Sequence, residues 1–140
     1  MKSIDEMAYG NEQLANRARL ALAYVYWINT HRVGHAPSGS EIKRYVAETI
    51  SGFRVNRNKR LLKKELKRFS DLDVMRLLSE YGLVEHTDCL EQRNERPSSL
   101  HGKGLVVPEE IAQNYLQDTT INPMSPSYPR YSPARFLPNP

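Results

Sequence analysis

The residues best suited to chemistry in this sequence form one basic segment, residues 54–68 (RVNRNKRLLKKELKR). The segment contains eight Lys or Arg and a single acid, Glu65, whereas the whole chain has a net charge of only +4. Basic side chains displace the counterions of a phosphate backbone and make charge-assisted hydrogen bonds to its oxygens. The segment therefore predicts nucleic-acid contacts, made by Arg54, Arg57, Lys59, Arg60, Lys63, Lys64, Lys67 and Arg68.

The same segment has the periodicity of an amphipathic helix over residues 56–69. At about 100° per residue, Leu62, Leu66 and Phe69 fall within one arc. Basic side chains lie on the opposite side, at Arg60, Lys63, Lys64 and Lys67. This arrangement favours a helix that packs on one side and binds the phosphate groups of DNA, or of RNA, on the other.

Other interpretations of this basic helix stay open. Its charges can form a solvated face, or they can neutralise the chain's own acidic half. Residues 54–68 carry a net charge of +7 and residues 69–120 a net charge of −6, which fits either a dipole aimed at a nucleic acid or two halves that neutralise each other. Calmodulin-type targets and membrane-surface helices share the pattern, but the apolar side here has no tryptophan or dense aromatic set.

Catalytic motifs are weak in this sequence. His86, Asn94 and His101 occur in the order of a His-Asn-His nuclease, but without the flanking hairpin residues of that site. Residues 65–67 (ELK) match only the end of another nuclease motif, and they fall in a predicted helix where such a site requires a strand. The sequence has no glycine-rich phosphate loop and no Gly-x-Ser-x-Gly elbow. We therefore expect a protein that is not an enzyme and has no catalytic residues.

Metal-binding residues are equally sparse. His31 with His35, or His86 with Cys89, offers one pair of ligands, but no second pair has the spacing of a zinc site. Cys89 is the only cysteine, which excludes an internal disulfide. The sequence predicts neither a metal site nor a cofactor.

Length and composition predict one folded body, residues 1–117, followed by a tail, residues 118–140. The tail holds six of the nine prolines, so we expect it to be extended and polyproline-prone. It is a disordered end, a segment that packs along its own domain, or a docking peptide for another protein with anchors at Tyr128, Tyr131 and Phe136.

Neither a signal sequence nor a membrane span is indicated by the sequence. The longest apolar run, residues 20–28 (LALAYVYWI), is far shorter than the roughly 20 residues that cross a bilayer. We expect a cytoplasmic protein, or one associated with the nucleoid or nucleus, that makes no membrane contact.

The remaining periodicity predicts a mainly α fold with a small β-hairpin. We expect a first helix at residues 11–30, a second from the Ser38–Glu41 cap to Ser51, and two more at 56–69 and 71–81. Strands follow at 83–87 and 104–107 around a long polar loop, and then a last helix at 109–117. Gly82 is placed to end the fourth helix, and Pro108 is placed in the first turn of the last one.

Two capping patterns mark helix starts. Ser38 with Glu41 has the spacing of a capping box before the second helix, and Ser70 with Asp73 offers a similar pair before the fourth. If Ser70 does cap a helix, the third and fourth helices are separate. A rival prediction joins residues 56–81 into one bent helix.

Aromatic residues widen the apolar side of the first helix, at Tyr24, Tyr26 and Trp27. Such large side chains most often fill a core. The surplus also fits a dimer face, so a homodimer is one expected arrangement.

The order of elements over residues 11–107 (four helices, strand, polar loop, strand) resembles a winged helix-turn-helix domain. Residues 73–85 (DVMRLLSEYGLVE) look like the family's passage from its last helix into the wing. The resemblance implies that the helix before the wing enters a major groove while neighbouring basic residues hold phosphates. The wing contacts that it implies are Arg93, Arg96 and Lys103.

This sequence departs from the family at the groove helix. Residues 71–81 contain three acids and only one base, Arg76, and DNA repels such a helix. Either residues 56–69 form the groove or backbone helix, or the winged-helix shape serves protein contacts.

The leading hypothesis is a non-enzymatic protein that binds duplex DNA and regulates transcription or another DNA transaction. RNA is a further option for the same helix. The alternative is a small protein-interaction module or inhibitor, which binds an acidic partner surface through the basic helix and the Pro/Tyr-rich tail.

Overall fold

A computed structural model describes residues 2–31 and 34–116, apart from the side chains of His31 and Arg54. It confirms a mainly helical chain with a small antiparallel sheet. The helices are α1 Ile4–Met7, α2 Glu12–His31, α3 Gly39–Ser51, α4 Phe53–Asn56, α5 Lys59–Asp71, α6 Val74–Glu80, α7 Thr87–Gln92 and α8 Glu109–Tyr115. The strands are β1 Glu85–His86 and β2 Leu105–Val106. The predicted tail, residues 118–140, lies outside the described residues.

The core is built around α2, which packs against α1, α3, α6 and β2. Its side chains at Leu22, Val25 and Ile28 are at most 2% exposed. They recur every three residues, a spacing that places side chains on one side of a helix over a few turns. Burying each of them stabilises the fold by about 1.5–3 kcal/mol.

The aromatic residues of α2 divide between core and surface. Tyr24 is buried and stacks on Tyr45 of α3, with ring centroids 4.2 Å apart. Tyr26 and Trp27 are only partly buried against the core. Tyr24 is therefore a core residue, and a dimer face at Tyr26 and Trp27 stays a prediction.

Both ends of α3 lie where the sequence predicts them. The Ser38 side-chain oxygen accepts a hydrogen bond from the Glu41 backbone N–H at 3.2 Å, which satisfies a first-turn donor. The Glu41 carboxylate lies 3.7 Å from Nε2 of His35. At the other end, Gly52 has φ +66° and ends the helix in the left-handed conformation.

The boundary between α5 and α6 corrects two predictions. Ser70 and Asp71 lie inside α5, so Ser70 does not cap the next helix. The helix predicted to begin at residue 71 begins at Val74, after Asp73, which has φ +56° and makes no capping bond through its side chain. The left-handed turn at Asp73 separates the two helices, so the rival prediction of one bent helix over 56–81 is wrong.

The connection between α3 and α5 contains a helical turn that the sequence analysis did not predict. Residues Phe53–Asn56 form a helical turn, α4, and α5 begins three residues later than predicted, at Lys59. The Asn58 side chain accepts a hydrogen bond from the Leu61 backbone N–H at 3.1 Å. This N-cap fixes the start of α5 because asparagine oxygen replaces a missing helical partner.

Gly82 ends α6 as predicted. The N–H of Gly82 donates to the carbonyl of Ser79, and the N–H of Leu83 donates to the carbonyl of Leu78 at 2.9 Å. This pair of bonds is a Schellman motif, which requires a left-handed residue such as Gly82 at φ +67°. The apolar contact that accompanies the motif is supplied by Leu78 and Leu83, both fully buried.

The hairpin is present but shorter than predicted, with Glu85 opposite Val106 and His86 opposite Leu105. The long loop is not irregular throughout, because Thr87 begins a helix, α7, rather than ending a strand. The His86 ring caps this helix by accepting from the backbone N–H of Asp88 at 3.4 Å. Propensity rules miss α7 because it has only six residues and no apolar period of its own.

The segment that follows α2, residues 34–37, is bonded to the loop between α7 and β2. The backbone N–H of His101 donates to the Gly34 carbonyl at 2.8 Å, and that of Ala36 donates to the His101 carbonyl at 3.0 Å. Gly104 lies so close to this segment that a Cβ on it would be 2.3 Å from the Ala36 carbonyl oxygen. The loop after α7 is therefore fastened to the body.

Two short helices complete the described fold. α1, which the sequence analysis missed, is capped reciprocally by Ser3 and Glu6, a pattern readable in the sequence as Ser-x-x-Glu. α8 ends at Tyr115, and Pro108 is its N-cap residue rather than part of its first turn. Over residues 2–31 and 34–116, no helix combines the length and apolarity needed to cross a membrane.

Candidate nucleic-acid interface

The basic helix α5 packs through its apolar side, as its periodicity predicts. Leu62 and Phe69 are buried at 6% and 2% exposure, and Leu66 is half-buried. The principal neighbour of α5 is α3. Because the buried side is fixed by these three residues, the opposite side of α5 must face outward.

The outward side is densely cationic. The exposed basic residues of this segment are Arg57, Lys59, Arg60, Lys63, Lys64, Lys67 and Arg68, and we call them the basic face. Within the described part of the chain, none of them forms an ion pair with a carboxylate. Arg54 was predicted to join them, but its side chain is outside the described residues.

Arg68 is held by a neutral partner. Its Nε donates to the side-chain oxygen of Gln13 at 2.7 Å. A neutral acceptor orients the guanidinium without cancelling its charge. Arg68 therefore still contributes a full positive charge to the basic face.

The single acid inside the basic segment is turned away from this face. Glu65 accepts from Nη2 of Arg17 in α2 at 2.7 Å, and the two side chains are only 15% and 9% exposed. Nη1 of the same arginine donates to the Gln13 carbonyl at 3.1 Å. The sole exposed acid of α5 is thus Asp71, its last residue.

Arg17 and Gln13 are supporting residues that the sequence analysis did not identify. Their i, i+4 spacing indicates that they share one side of α2, but only the packing shows that this side meets α5. Nε of Arg17 is buried and has no hydrogen-bond partner among the described atoms. The guanidinium is therefore dependent on Glu65 for compensation of its charge.

The N-terminal end of α5 combines two sources of positive potential. Lys59 and Arg60 lie in the first turn, which has no acid. A helix N-terminus is already positive, and acids there would stabilise it by about 0.3–1 kcal/mol. With Lys59 and Arg60 at this position, α5 lacks the stabilisation that acids would provide, and its N-terminus attracts anions.

Two apolar side chains border the basic face. Val55 in α4 is 67% exposed and Leu61 in α5 is 39% exposed. Single exposed apolar residues are common on surfaces. Here they lie beside cations, so a partner that contacts this face meets both charge and apolar surface.

The predicted wing arginines have partners within their own loop. Arg93 lies 2.5 Å from Glu85 and 3.1 Å from Glu95, and hydrogen bonds first to Glu85 and then to Glu95 raise the pKa of Arg93 above its ordinary value. Arg96 pairs with Glu91 and donates to the Gly102 carbonyl at 2.8 Å.

Lys103 is the exception in this loop. It is exposed, and it forms no ion pair with the residues that the structure describes. Contacts of all three wing residues with nucleic acid stay predictions, and Lys103 is the one whose charge is available.

The helix before the hairpin carries little net attraction for phosphate. In α6, Arg76 lies 3.8 Å from both Asp73 and Glu80. All three side chains are more than half exposed. The acid-rich character predicted for residues 71–81 therefore does not belong to α6 itself, which holds one base, Arg76, and one acid, Glu80. Asp71 lies in α5, and Asp73 is the N-cap residue of α6.

The candidate metal and nuclease residues whose side chains are described do not form a cluster, and the side chain of His31 lies outside the described part of the chain. His35 and His101 are bridged through their backbones, whereas His86 lies beside Asp88, with Nδ1 3.5 Å from the carboxylate. Cys89 is exposed. Among the residues with described placement, no group of three or more His, Cys, Asp or Glu could hold a metal ion.

Comparison with known proteins gives no independent information about the basic face. No protein-family model, curated protein sequence or solved structure matches the chain.

Proposed function

We propose that this protein binds duplex DNA without enzyme activity, through the basic face of α5, as a regulator of transcription or of another DNA transaction. The main support for this proposal is the distribution of charged side chains in and beside α5. Six basic side chains of α5, and that of Arg57 just before it, are exposed with no carboxylate partner in the described chain, while the central acid, Glu65, is paired inward with Arg17. Such a face suits phosphate, since each phosphate contact releases a condensed counterion.

The helical pair α3 and α5 offers a docking mode. The two helices pack together and are joined through α4, and in helix-turn-helix proteins the second helix of such a pair lies in the major groove. The connection, residues 52–58, is longer than the common turn of about 3–4 residues. In this arrangement the groove or backbone helix is α5 rather than α6, whose single base, Arg76, is balanced by Glu80.

The dimensions of the basic face match a short stretch of backbone. Arg60, Lys64 and Lys67 follow one another at helical spacing and span about 10 Å along the axis. One DNA strand carries a phosphate for about every 3.4 Å of duplex length. The three side chains can therefore reach two or three neighbouring phosphates of one strand.

The first test is fluorescence anisotropy with a labelled duplex of about 30 base pairs, at about 50 and 200 mM salt. The wild type should bind, and its affinity should fall steeply between the two salt concentrations. A quadruple variant with Arg60, Lys63, Lys64 and Lys67 changed to Gln should lose binding. Its circular dichroism and melting temperature should stay close to those of the wild type, because these side chains are exposed.

A matched pair of double variants separates local from overall charge. Lys64→Gln/Lys67→Gln and Lys2→Gln/Arg76→Gln lower the net charge equally, but only the first pair lies in the basic face. The first should weaken binding strongly and the second weakly. Equal losses, or wild-type binding that does not depend on salt, would contradict the proposal.

The second candidate function is binding to an acidic protein surface, which the exposed Val55 and Leu61 favour. An apolar partner surface would cover these side chains, whereas phosphate contacts do not need them. Poly-L-glutamate is a suitable competitor in the same assay. If it displaces the duplex at equal charge concentration, and Val55→Ser/Leu61→Ser leaves duplex binding unchanged but weakens this competition, the face is better suited to an acidic protein than to DNA.

A further inference from the structure

A cleft lies at the C-terminal end of α2, far from the N-terminal half of α2 that contacts the basic face. It is enclosed by the C-terminal turns of α2, by β1 and β2, by α7 and by the start of α8, and its volume is about 490 Å³. Arg17, which contacts α5, is separated from Asn29, which lines the cleft, by about 18 Å of helix. Small-molecule sites commonly have volumes of about 300–1,000 Å³.

One part of the cleft is apolar. Leu90 and Leu100 line it from the loop, and Val106 lines it from β2. These residues form a small cluster of their own, apart from the main core. Tyr26 of α2 adds an aromatic ring at the same cleft.

The rest of the cleft is acidic. Glu85 and Glu95 line it and share one guanidinium, that of Arg93, at 2.5 and 3.1 Å. Glu109, at the start of α8, lines it as well, and among the described residues it has no ion-pair partner. The described lining thus has three carboxylates against one guanidinium, an excess of two negative charges.

The electrostatic field of Glu109 reaches the aromatic ring. Burial, and then the charge of Glu109, raise the pKa of Tyr26 above its ordinary value. The carboxylate and the phenol are therefore close enough to interact. An aromatic ring beside a carboxylate is a combination that favours organic cations.

The walls of the cleft are fixed before any ligand binds. The Asn29 side chain donates to the carbonyls of His35 and Leu105 at 3.0 and 3.3 Å, and it accepts from the Val107 backbone N–H at 3.0 Å. These bonds join α2 to the segment after it and to the last strand. A site held in this way loses little entropy when a ligand enters.

We propose that this cleft binds a small amphipathic cation. The apolar body of the ligand lies against Tyr26 and the apolar residues Leu90, Leu100 and Val106. Its charged group lies toward Glu109 and the Glu85–Arg93–Glu95 cluster. A ligand with one or two positive charges balances the excess of carboxylates. An anion of the same shape is repelled. The site is independent of the basic face and of the function proposed for it.

The probe is 4-phenylbutylamine, which is protonated at pH 7 because alkylamines have pKa values near 10. Its matched control is 4-phenylbutyrate, which has the same apolar body and the opposite charge. Binding to the full chain is measured by saturation-transfer NMR and by isothermal titration. The amine should bind saturably and at least about tenfold more tightly than the carboxylate.

Two neighbouring acids of α8 supply the control variants. Glu109→Gln should weaken amine binding about fivefold to tenfold, whereas Glu110→Gln, an exposed neighbour outside the cleft, should leave it unchanged. Ser99→Trp, at an exposed position of the lining, should fill the cleft and abolish binding while the melting temperature is retained. The quadruple α5 variant should bind the amine as the wild type does.

Three results would overturn the inference. They are the absence of saturable amine binding, equal affinity for the amine and the carboxylate, and equal effects of Glu109→Gln and Glu110→Gln. Tighter binding of the carboxylate would identify an anion site instead. Each of these outcomes is independent of whether the protein binds DNA.

Discussion

The basic face of α5 and the loop between β1 and β2 both carry clustered basic residues, but they use their charges differently. In the loop, Arg93 and Arg96 are engaged by Glu85, Glu95 and Glu91. On α5, the basic side chains have no carboxylate partners among the described residues, and the one central acid is paired inward. Local charge density alone therefore does not identify a binding surface, because the position of the acids decides which cations are available.

The difference also has an energetic side. Surface ion pairs such as those of the loop contribute little to stability in general, because water screens both charges. The Arg17–Glu65 pair is largely buried, and removing one partner of a buried pair leaves an uncompensated charge. The Arg17–Glu65 pair thus has two effects: it removes the central acid from the exposed side of α5, and it joins α5 to α2.

The largest expected effect follows from breaking that pair. Glu65→Ala should lower the free energy of unfolding by about 2–4 kcal/mol, since the buried charge of Arg17 is left without a compensating carboxylate. Urea denaturation followed by circular dichroism measures the change. Glu85→Ala, which removes a partner of the exposed Arg93, is the comparison and should shift the urea midpoint far less. Equal shifts would mean that Glu65 is not held inside.

A smaller effect is expected for single cations when the salt dependence of DNA binding is measured. Lys64→Gln should reduce the slope of log K against log salt by about 0.9, the value for one lost phosphate contact. Arg93→Gln should leave the slope unchanged, because its charge is already paired. A reduced slope for Lys103→Gln would show that the loop also touches DNA through its one available cation.

The sequence predicted the parts of this fold that depend on local chemistry. The periodicity of Leu62, Leu66 and Phe69 indicated the buried side of α5, and Gly82 indicated the end of α6, because both signals act within a few residues. Asp73 was misread as part of a capping pair. It adopts the left-handed conformation instead, which aspartate tolerates, and the sequence pattern did not distinguish this turn from a cap.

The candidate site was predictable only in its list of cations. Eight basic residues were identified, but whether each one is available depends on contacts between residues far apart in the chain. Arg17 lies 48 positions from Glu65, and this contact removes the central acid from the outer face. The loop arginines were predicted as wing contacts from the resemblance to a winged helix-turn-helix domain. Their acidic partners lie in the same segment, where sequence alone does not distinguish pairing from proximity.

The smallest effect concerns a residue of the basic face that is held in an unfavourable backbone conformation. Arg57 has φ +54°, a conformation that costs a residue with a side chain about 1–2 kcal/mol, whereas glycine there costs about 0.5–1 kcal/mol of chain entropy. Arg57→Gly should therefore raise the free energy of unfolding by about 0.5 kcal/mol while it reduces the salt slope of DNA binding by about 0.9.

The matching change in the loop is Asn94→Gly, at φ +57°. Asparagine tolerates the left-handed conformation, so this variant should gain less stability, and its DNA affinity should equal that of the wild type. Thermal melting and anisotropy on the same samples measure both quantities. If Arg57→Gly raises stability and lowers DNA affinity while Asn94→Gly does not lower affinity, the basic face retains a cation at a position where glycine would be more stable. If Arg57→Gly leaves the salt slope unchanged, the DNA contact does not extend beyond α5 to the turn that precedes it.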